Sequence, residues 1–143
     1  MMQLDLFPAP KVQTLAELAA TQRGALPISF GWTADRLPPH GCKSVTRRKW
    51  SDQRVKTMIG YCEDGRVLPA VNKSLCYGGH QIGWLLLQSV TREYLAAIDQ
   101  DEVIKEGYPE LTRNQFLERF FLNTSPRIVI TRIEFTYEPQ ESA

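Results

Sequence analysis

Lys43 and Thr46 stand three residues apart at the head of the most basic stretch of the chain. A neutral lysine amine beside a threonine hydroxyl is a pairing that can draw a proton off a nucleophile. In a regular strand the two would fall on opposite faces, about 10 Å apart along the chain, so cooperation requires a bend. Pro38, Pro39 and Gly41, just upstream, supply one. Arg47 and Arg48 follow at once, and like-charge repulsion from them favours the neutral amine that a general base needs.

The same stretch suits an anion. Between His40 and Lys56 lie six cations, Lys43, Arg47, Arg48, Lys49, Arg54 and Lys56, against one acid, Asp52, giving +5 over seventeen residues of a chain whose net charge is +1. Trp50 offers a stacking surface for a base, and Ser44 and Thr46 offer short donors. A solvated face accounts for the charges as well, because Arg47, Arg48 and Lys49 point in alternating directions along a strand and only some can reach one ligand. Trp50 alone also reads as a partly buried packing residue.

Glu106 is the acidic counterpart. It falls in the last turn of a helix, where a carboxylate faces the negative end of the backbone dipole at a cost of roughly 0.3–1 kcal/mol. Either it faces Lys43 or Arg47, the richest source of cations in the chain, or it stands exposed and solvated.

The elements that would position these groups follow from pattern. Thr14 with Glu17 forms a capping box for a short helix that stops at Gly24. Leu26–Trp32 reads as a strand with Ile28, Phe30 and Trp32 on one side, and Cys42–Trp50 as a basic strand or strand start. Ser51 caps a helix from Asp52 to about Met58, and a further strand fits Val67–Val71. Gln81–Thr91, apolar from Ile82 to Leu87, reads as the central strand, covered on both faces. One or two short helices fill Tyr94–Glu106, closed by Gly107 and Pro109. Thr112 and Gln115 open another, whose Phe116, Leu117, Phe120 and Phe121 stripe anchors it on a sheet. Arg127–Tyr137 is the last strand, with Val129, Ile133, Phe135 and Tyr137 on one face and Arg132, Glu134 and Thr136 on the other.

These pieces make an α+β chain with a small mixed sheet or barrel. With 143 residues, one compact domain plus tails is expected: an extension with a short helix over 1–25, a domain over 26–139 and a fraying end at 140–143. Hydrophobic residues at 43%, charged residues at 23% and a mean hydropathy of -0.30 fit a folded soluble chain. No apolar run approaches the ~18 residues of a membrane span, and no basic-then-apolar leader opens the chain. Cys42, Cys62 and Cys76 form neither an even set nor a zinc spacing, and His40 and His80 do not complete one, so no metal or cofactor is expected and a reducing cytoplasm is the natural setting. Phosphate-cradling glycine loops and glycine-flanked serine nucleophiles are absent from the sequence.

Gly41-Cys42-Lys43-Ser44-Val45-Thr46-Arg47-Arg48, followed downstream by Glu106-Gly107-Tyr108 and a phenylalanine-rich helix, resembles the ASCH domain family. The likeness runs from about Ile28 to Tyr137. It implies a PUA-like small mixed β-barrel with flanking short helices, and RNA or a modified nucleoside as ligand. Members related to the bacterial acetylcytidine amidohydrolase use a lysine, a threonine and a glutamate, which by motif position are Lys43, Thr46 and Glu106. The resemblance implies that Thr46 attacks an amide carbonyl, Lys43 takes its proton and Glu106 orients the lysine or the substrate. Other members are linked to ribonuclease activity. A ligand in such a cleft would meet Arg47 or Arg48 at a phosphate or carbonyl oxygen, with Lys49 adding charge and Trp50 or Tyr108 against a base. The chain has a longer segment between Trp50 and Gln81 than the minimal amidohydrolase, which implies a different pocket mouth.

Gln3-Leu4-Asp5-Leu6-Phe7 resembles the short peptide by which bacterial replication and repair proteins dock on the sliding clamp. An extended end can place Leu6 and Phe7 in an apolar groove at modest ordering cost. The alternative is that Leu4, Leu6 and Phe7 pack on their own domain.

Overall fold

A computed structural model describes residues 13 to 141. The clamp-like peptide Gln3-Leu4-Asp5-Leu6-Phe7 lies outside the described residues. In chain order the elements are α1 (Leu15–Ala19), β1 (Ile28–Ser29), a 3-10 turn (Gly31–Arg36), β2 (Val45–Arg48), α2 (Asp52–Asp64), β3 (Val67–Val71), β4 (Gln81–Tyr94), α3 (Gln100–Lys105), α4 (Arg113–Phe120) and β5 (Val129–Pro139), with two further short 3-10 turns at Leu75–Tyr77 and Leu95–Ala97.

The five strands form one sheet in the order β1-β3-β4-β5-β2. β1 runs parallel to β3 and the other neighbours are antiparallel. β4 is central, as its apolar run implies. The sheet curls into a half-barrel, leaving β1 and β2 as its two edges. The curl brings those edges to common ground: Ser29 of β1 and Arg48 of β2 line the same two cavities.

Two apolar clusters hold this shape. The first gathers Ile28, Phe30, Met58, Leu68, Leu85 and Ile133 between the sheet and α2. The second gathers Leu95, Ile98, Val103, Tyr108, Phe116 and Ile130 around α3 and α4. Each such buried side chain contributes about 1.5–3 kcal/mol relative to exposure.

Local capping chemistry places the helices. Thr14, Ser51, Asp99 and Thr112 each accept an amide proton at a helix start, and Thr112 and Gln115 complete a reciprocal capping box. Residues just after α1 also fasten to the sheet: the Gln22 side chain donates to the Gly65 carbonyl and accepts from the Val67 amide. The Leu15 amide donates to the Glu138 carboxylate.

Several expectations change, among them the end of α1, at Ala19 rather than Gly24, and the extent of β2, Val45–Arg48 rather than Cys42–Trp50. The strand foreseen at Leu26–Trp32 shrinks to Ile28–Ser29, because Gly31 takes φ +54° and turns the chain, sending Trp32 out to 65% exposure. α2 runs on to Asp64 before Gly65 stops it. β4 is fully covered on one face only: Gly83, Leu85 and Leu87 are buried while Ile82, Trp84 and Leu86 are half-buried. The aromatic stripe of α4 packs chiefly in the second cluster rather than broadly on the sheet, with Phe116 buried against Tyr108.

Among the described residues, no helix is long and apolar enough to cross a membrane, and no group of three His, Cys, Asp or Glu residues is placed to hold a metal ion.

Candidate functional site

Lys43 reaches the site through the bend before β2. Its amide donates to the Arg36 carbonyl at 2.9 Å, and the Ser44 amide donates to the Lys105 carbonyl at 2.8 Å, which ties the start of β2 to the end of α3. Gly107, at φ +100°, turns the chain out of α3; a β-carbon there would lie 3.0 Å from the Lys43 β-carbon and 2.9 Å from that of Arg36. Lys43 and Glu106, 63 positions apart, are thereby pressed together.

Glu106 caps the C-terminus of α3 and is buried. One of its carboxylate oxygens accepts from Lys43 Nζ at 3.0 Å and the other from Arg47 at 2.9 Å. Lys43 Nζ also donates to the Glu106 carbonyl at 3.0 Å, so the amine neutralises both the side chain and an orphan carbonyl at the negative helix end. Glu106 faces both candidate cations rather than solvent.

Arg47 is held more fully still. Besides Glu106, it donates to Glu93 at 2.9 Å and to Glu102 at 2.5 Å. Glu102 also accepts from Arg132, which bridges on to Glu134. Burial would lower the Arg47 pKa, but the carboxylates of Glu106, Glu102 and Glu93 outweigh it and raise it. Glu102, despite the upward push of partial burial, is held down to about 2 by hydrogen bonds from Arg132 and Arg47.

The Lys43 amine is shifted downward, mainly because it is buried; Glu106 opposes the shift, and Arg48 and Arg47 add to it. Like-charge repulsion therefore acts in the expected direction but ranks behind burial. Among the described residues, Lys43 makes no hydrogen bond to Thr46.

Thr46 and Glu106 instead meet on the wall of a cavity of about 320 Å³ in the gap between the sheet edges. Arg47 and Arg48 form part of the same wall. Aromatic rings make up much of the rest: Phe30, Trp32, Tyr108, Phe116, Phe120 and Phe121. Trp32 stacks on Phe120 at 5.3 Å with an interplanar angle of 13°. Tyr108 is buried, its hydroxyl has no partner among the described residues, and burial raises its pKa. The Arg36 guanidinium lies 4.3 Å over the Tyr108 ring and donates to the Gly107 carbonyl, holding that turn in place.

Arg48 differs from its neighbour. Among the described residues its guanidinium forms no salt bridge and its buried Nε has no partner; it stands 5.6 Å over the Phe30 ring. Burial lowers its pKa. Lys49 is exposed and does not line this cavity. Trp50 lies outside it as well, on a second cavity, with the Arg54 guanidinium 5.4 Å from its ring.

Sequence reasoning placed the basic segment and Glu106 but missed the acids around Arg47. Glu93 and Glu102 carry no local signal, since they approach Arg47 only through the β4–β5–β2 pairing and the packing of α3. It also took Trp32 for a strand-face residue and the α4 phenylalanines for core alone. The run of Phe116, Phe120 and Phe121 carried no sign that one side of it faces a cavity.

No family model and no curated protein matches the chain. Among solved structures it is similar to protein EF3133 from Enterococcus faecalis V583, assigned to the family DUF984, with 13% identity, a TM-score of 0.48, and 80% of this chain and 76% of that one covered.

Proposed function

We propose that this chain is an ASCH-type, PUA-like domain that binds RNA or a modified nucleoside in the cavity between β1 and β2. The observation that carries the reading is Arg48: a largely desolvated cation with no carboxylate partner among the described residues, set in a wall of aromatic rings. A charge so placed is costly until an anion or a polar oxygen meets it. Aromatic faces beside it suit a flat heterocycle, and a cavity of about 320 Å³ is the size of a small-molecule site.

The amidohydrolase reading has its own support. The Thr46 hydroxyl is free of hydrogen bonds among the described residues and shares a wall with Glu106, which in turn holds the amine of Lys43; Lys43 is not on that wall, and its burial favours the neutral form. Acyl transfer would require the Lys43 amine to leave the Glu106 carbonyl and turn toward Thr46 Oγ1. The resting geometry therefore supports binding more directly than turnover. A ribonuclease is less well supported, since neither cavity is lined by a histidine able to shuttle protons.

The test is titration of the protein with a panel of nucleosides and single-stranded RNA, read by tryptophan fluorescence, with a Trp32→Phe variant to identify the share of the cavity-wall Trp32 among the three tryptophans. Saturable quenching by a nucleoside supports the reading; no response to any nucleoside or RNA contradicts it. Incubation with acetylated cytidine, comparing wild type with Lys43→Ala, separates hydrolase from binder, because turnover lost in the variant would establish the enzyme.

A further inference from the structure

Beyond Arg48 the gap continues into a second cavity, of about 400 Å³, which shares Ser29 and Arg48 with the first. Arg54, Trp50, Ser74 and Leu75 form other parts of its wall. Two features of this wall bear on a ligand. The first is charge without counter-charge. Among the described residues neither Arg48 nor Arg54 forms a salt bridge; Arg23, Arg66, Arg113, Arg119 and Arg127 form none either, but Arg48 and Arg54 are the arginines that line this cavity.

The second feature is a pair of idle donors. Among the described residues, the Nε atoms of Arg48 and Arg54 are both buried and without partners. Arg54 commits one terminal nitrogen to the Pro27 carbonyl at 3.0 Å, which fixes the guanidinium beside Trp50. Two like charges held on one concave wall repel each other, and a multivalent oxyanion relieves that repulsion while accepting from both.

We propose that this second cavity seats the phosphate of a nucleotide, free or within a strand, whose base occupies the first cavity. Arg48 stands at the junction and Arg54 is the second jaw of the clamp. In a strand, Trp50 provides a stacking surface for the neighbouring base. The inference rests on the reading of the first cavity as a nucleoside site, but the clamp itself can be tested apart from it.

The experiment is calorimetric titration of the full chain with inorganic pyrophosphate, a nucleoside, its 5′-monophosphate and a short single-stranded RNA. The monophosphate is expected to bind about 10- to 100-fold more tightly than the nucleoside. Arg54→Gln should erase that gain and leave nucleoside affinity unchanged, and Arg54→Lys should keep part of it. Pyrophosphate bound by wild type and lost in Arg54→Gln upholds the clamp even if no nucleoside binds, in which case only the nucleoside reading fails. RNA tighter than the monophosphate, with the excess lost in Trp50→Ala, identifies a strand as the source; equal affinities identify a free nucleotide. Thermal unfolding of each variant verifies folding. Should Arg54→Gln not fold, monophosphate binding by wild type must weaken as salt rises. Salt-independent binding, equal affinity for nucleoside and monophosphate with no response to pyrophosphate, or a folded Arg54→Gln that matches wild type would each overturn the clamp.

Discussion

Arg47 and Arg48 are consecutive residues of β2, yet the first is gripped by the carboxylates of Glu93, Glu102 and Glu106 while the second meets none among the described residues. The alternation of a strand explains the contrast. Arg47 pairs in register with Arg132 and faces the acids brought by α3 and β4, whereas Arg48 turns to the Phe30 side. One arginine is consumed in holding α3 to the sheet. The other forms no salt bridge among the described residues and lines the cavity between β1 and β2.

The grip on Arg47 predicts an acid-labile fold. Glu102 titrates at about 2, below the ordinary carboxylate value of 4.5, so its stabilising contribution is complete above roughly pH 4.5 and fades as pH falls toward 2. Glu102→Gln should cost about 1–3 kcal/mol at pH 7, because Arg132 and Arg47 lose a charged partner. Urea unfolding of both proteins from pH 7 to pH 2 should show that difference closing through the window. A difference independent of pH would contradict the role given to the ionised carboxylate.

Lys43 carries the opposite sign. Its amine gives up a proton at lower pH in the folded chain than in the unfolded one, so between the folded value and the ordinary 10.5 the unfolded state binds more protons and stability rises with pH. Wild type should therefore gain on Lys43→Met as pH climbs toward 10.5, measured as the difference between their urea midpoints. A constant difference would mean that burial leaves the amine unperturbed.

Gly107→Ala tests how the two halves of the motif are pressed together. The new methyl group would crowd the β-carbons of Arg36 and Lys43 while the backbone sits at φ +100°, a conformation costly for any L side chain. A loss of about 1–3 kcal/mol is expected. Chemical shifts of Lys43 and Glu106 should move while those of the first apolar cluster hold. Unchanged stability would show that the turn is not tight.

Tyr108→Phe separates stability from ligand affinity. The hydroxyl of this cavity-lining residue is buried without a partner among the described residues, so its removal should leave the unliganded protein as stable as wild type or stabilise it by about 1 kcal/mol. Nucleoside affinity should drop severalfold if that hydroxyl awaits a ligand atom. A variant that unfolds more readily would reveal a water or protein partner for the hydroxyl.

Much of this was legible in the sequence where the signal is local. Ser51, and Thr112 with Gln115, announce helix starts through short-range hydrogen bonds, and the apolar Ile82–Leu87 run marks the middle of the sheet. A carboxylate at the end of α3 demanded compensation, and the basic segment was the place to seek it. What stayed hidden depends on distant pairing. Nothing near Glu93 or Glu102 in sequence reveals that the β4–β5–β2 register delivers them to Arg47. The positive φ of Gly31, which throws Trp32 out of its strand and onto Phe120, is likewise a tertiary choice that alternating hydrophobicity cannot show.

Arg48, without a salt bridge among the described residues, is proposed to meet a ligand in the gap between β1 and β2. The most direct measurement is the affinity of a nucleoside 5′-monophosphate for wild type and for Arg48→Gln, with thermal midpoints taken alongside. A loss of about 10- to 100-fold is expected in the variant, with a midpoint at or above that of wild type because a half-buried charge without a salt bridge among the described residues has been removed. Equal affinity in the two proteins, or no binding of any nucleotide by wild type, would contradict it.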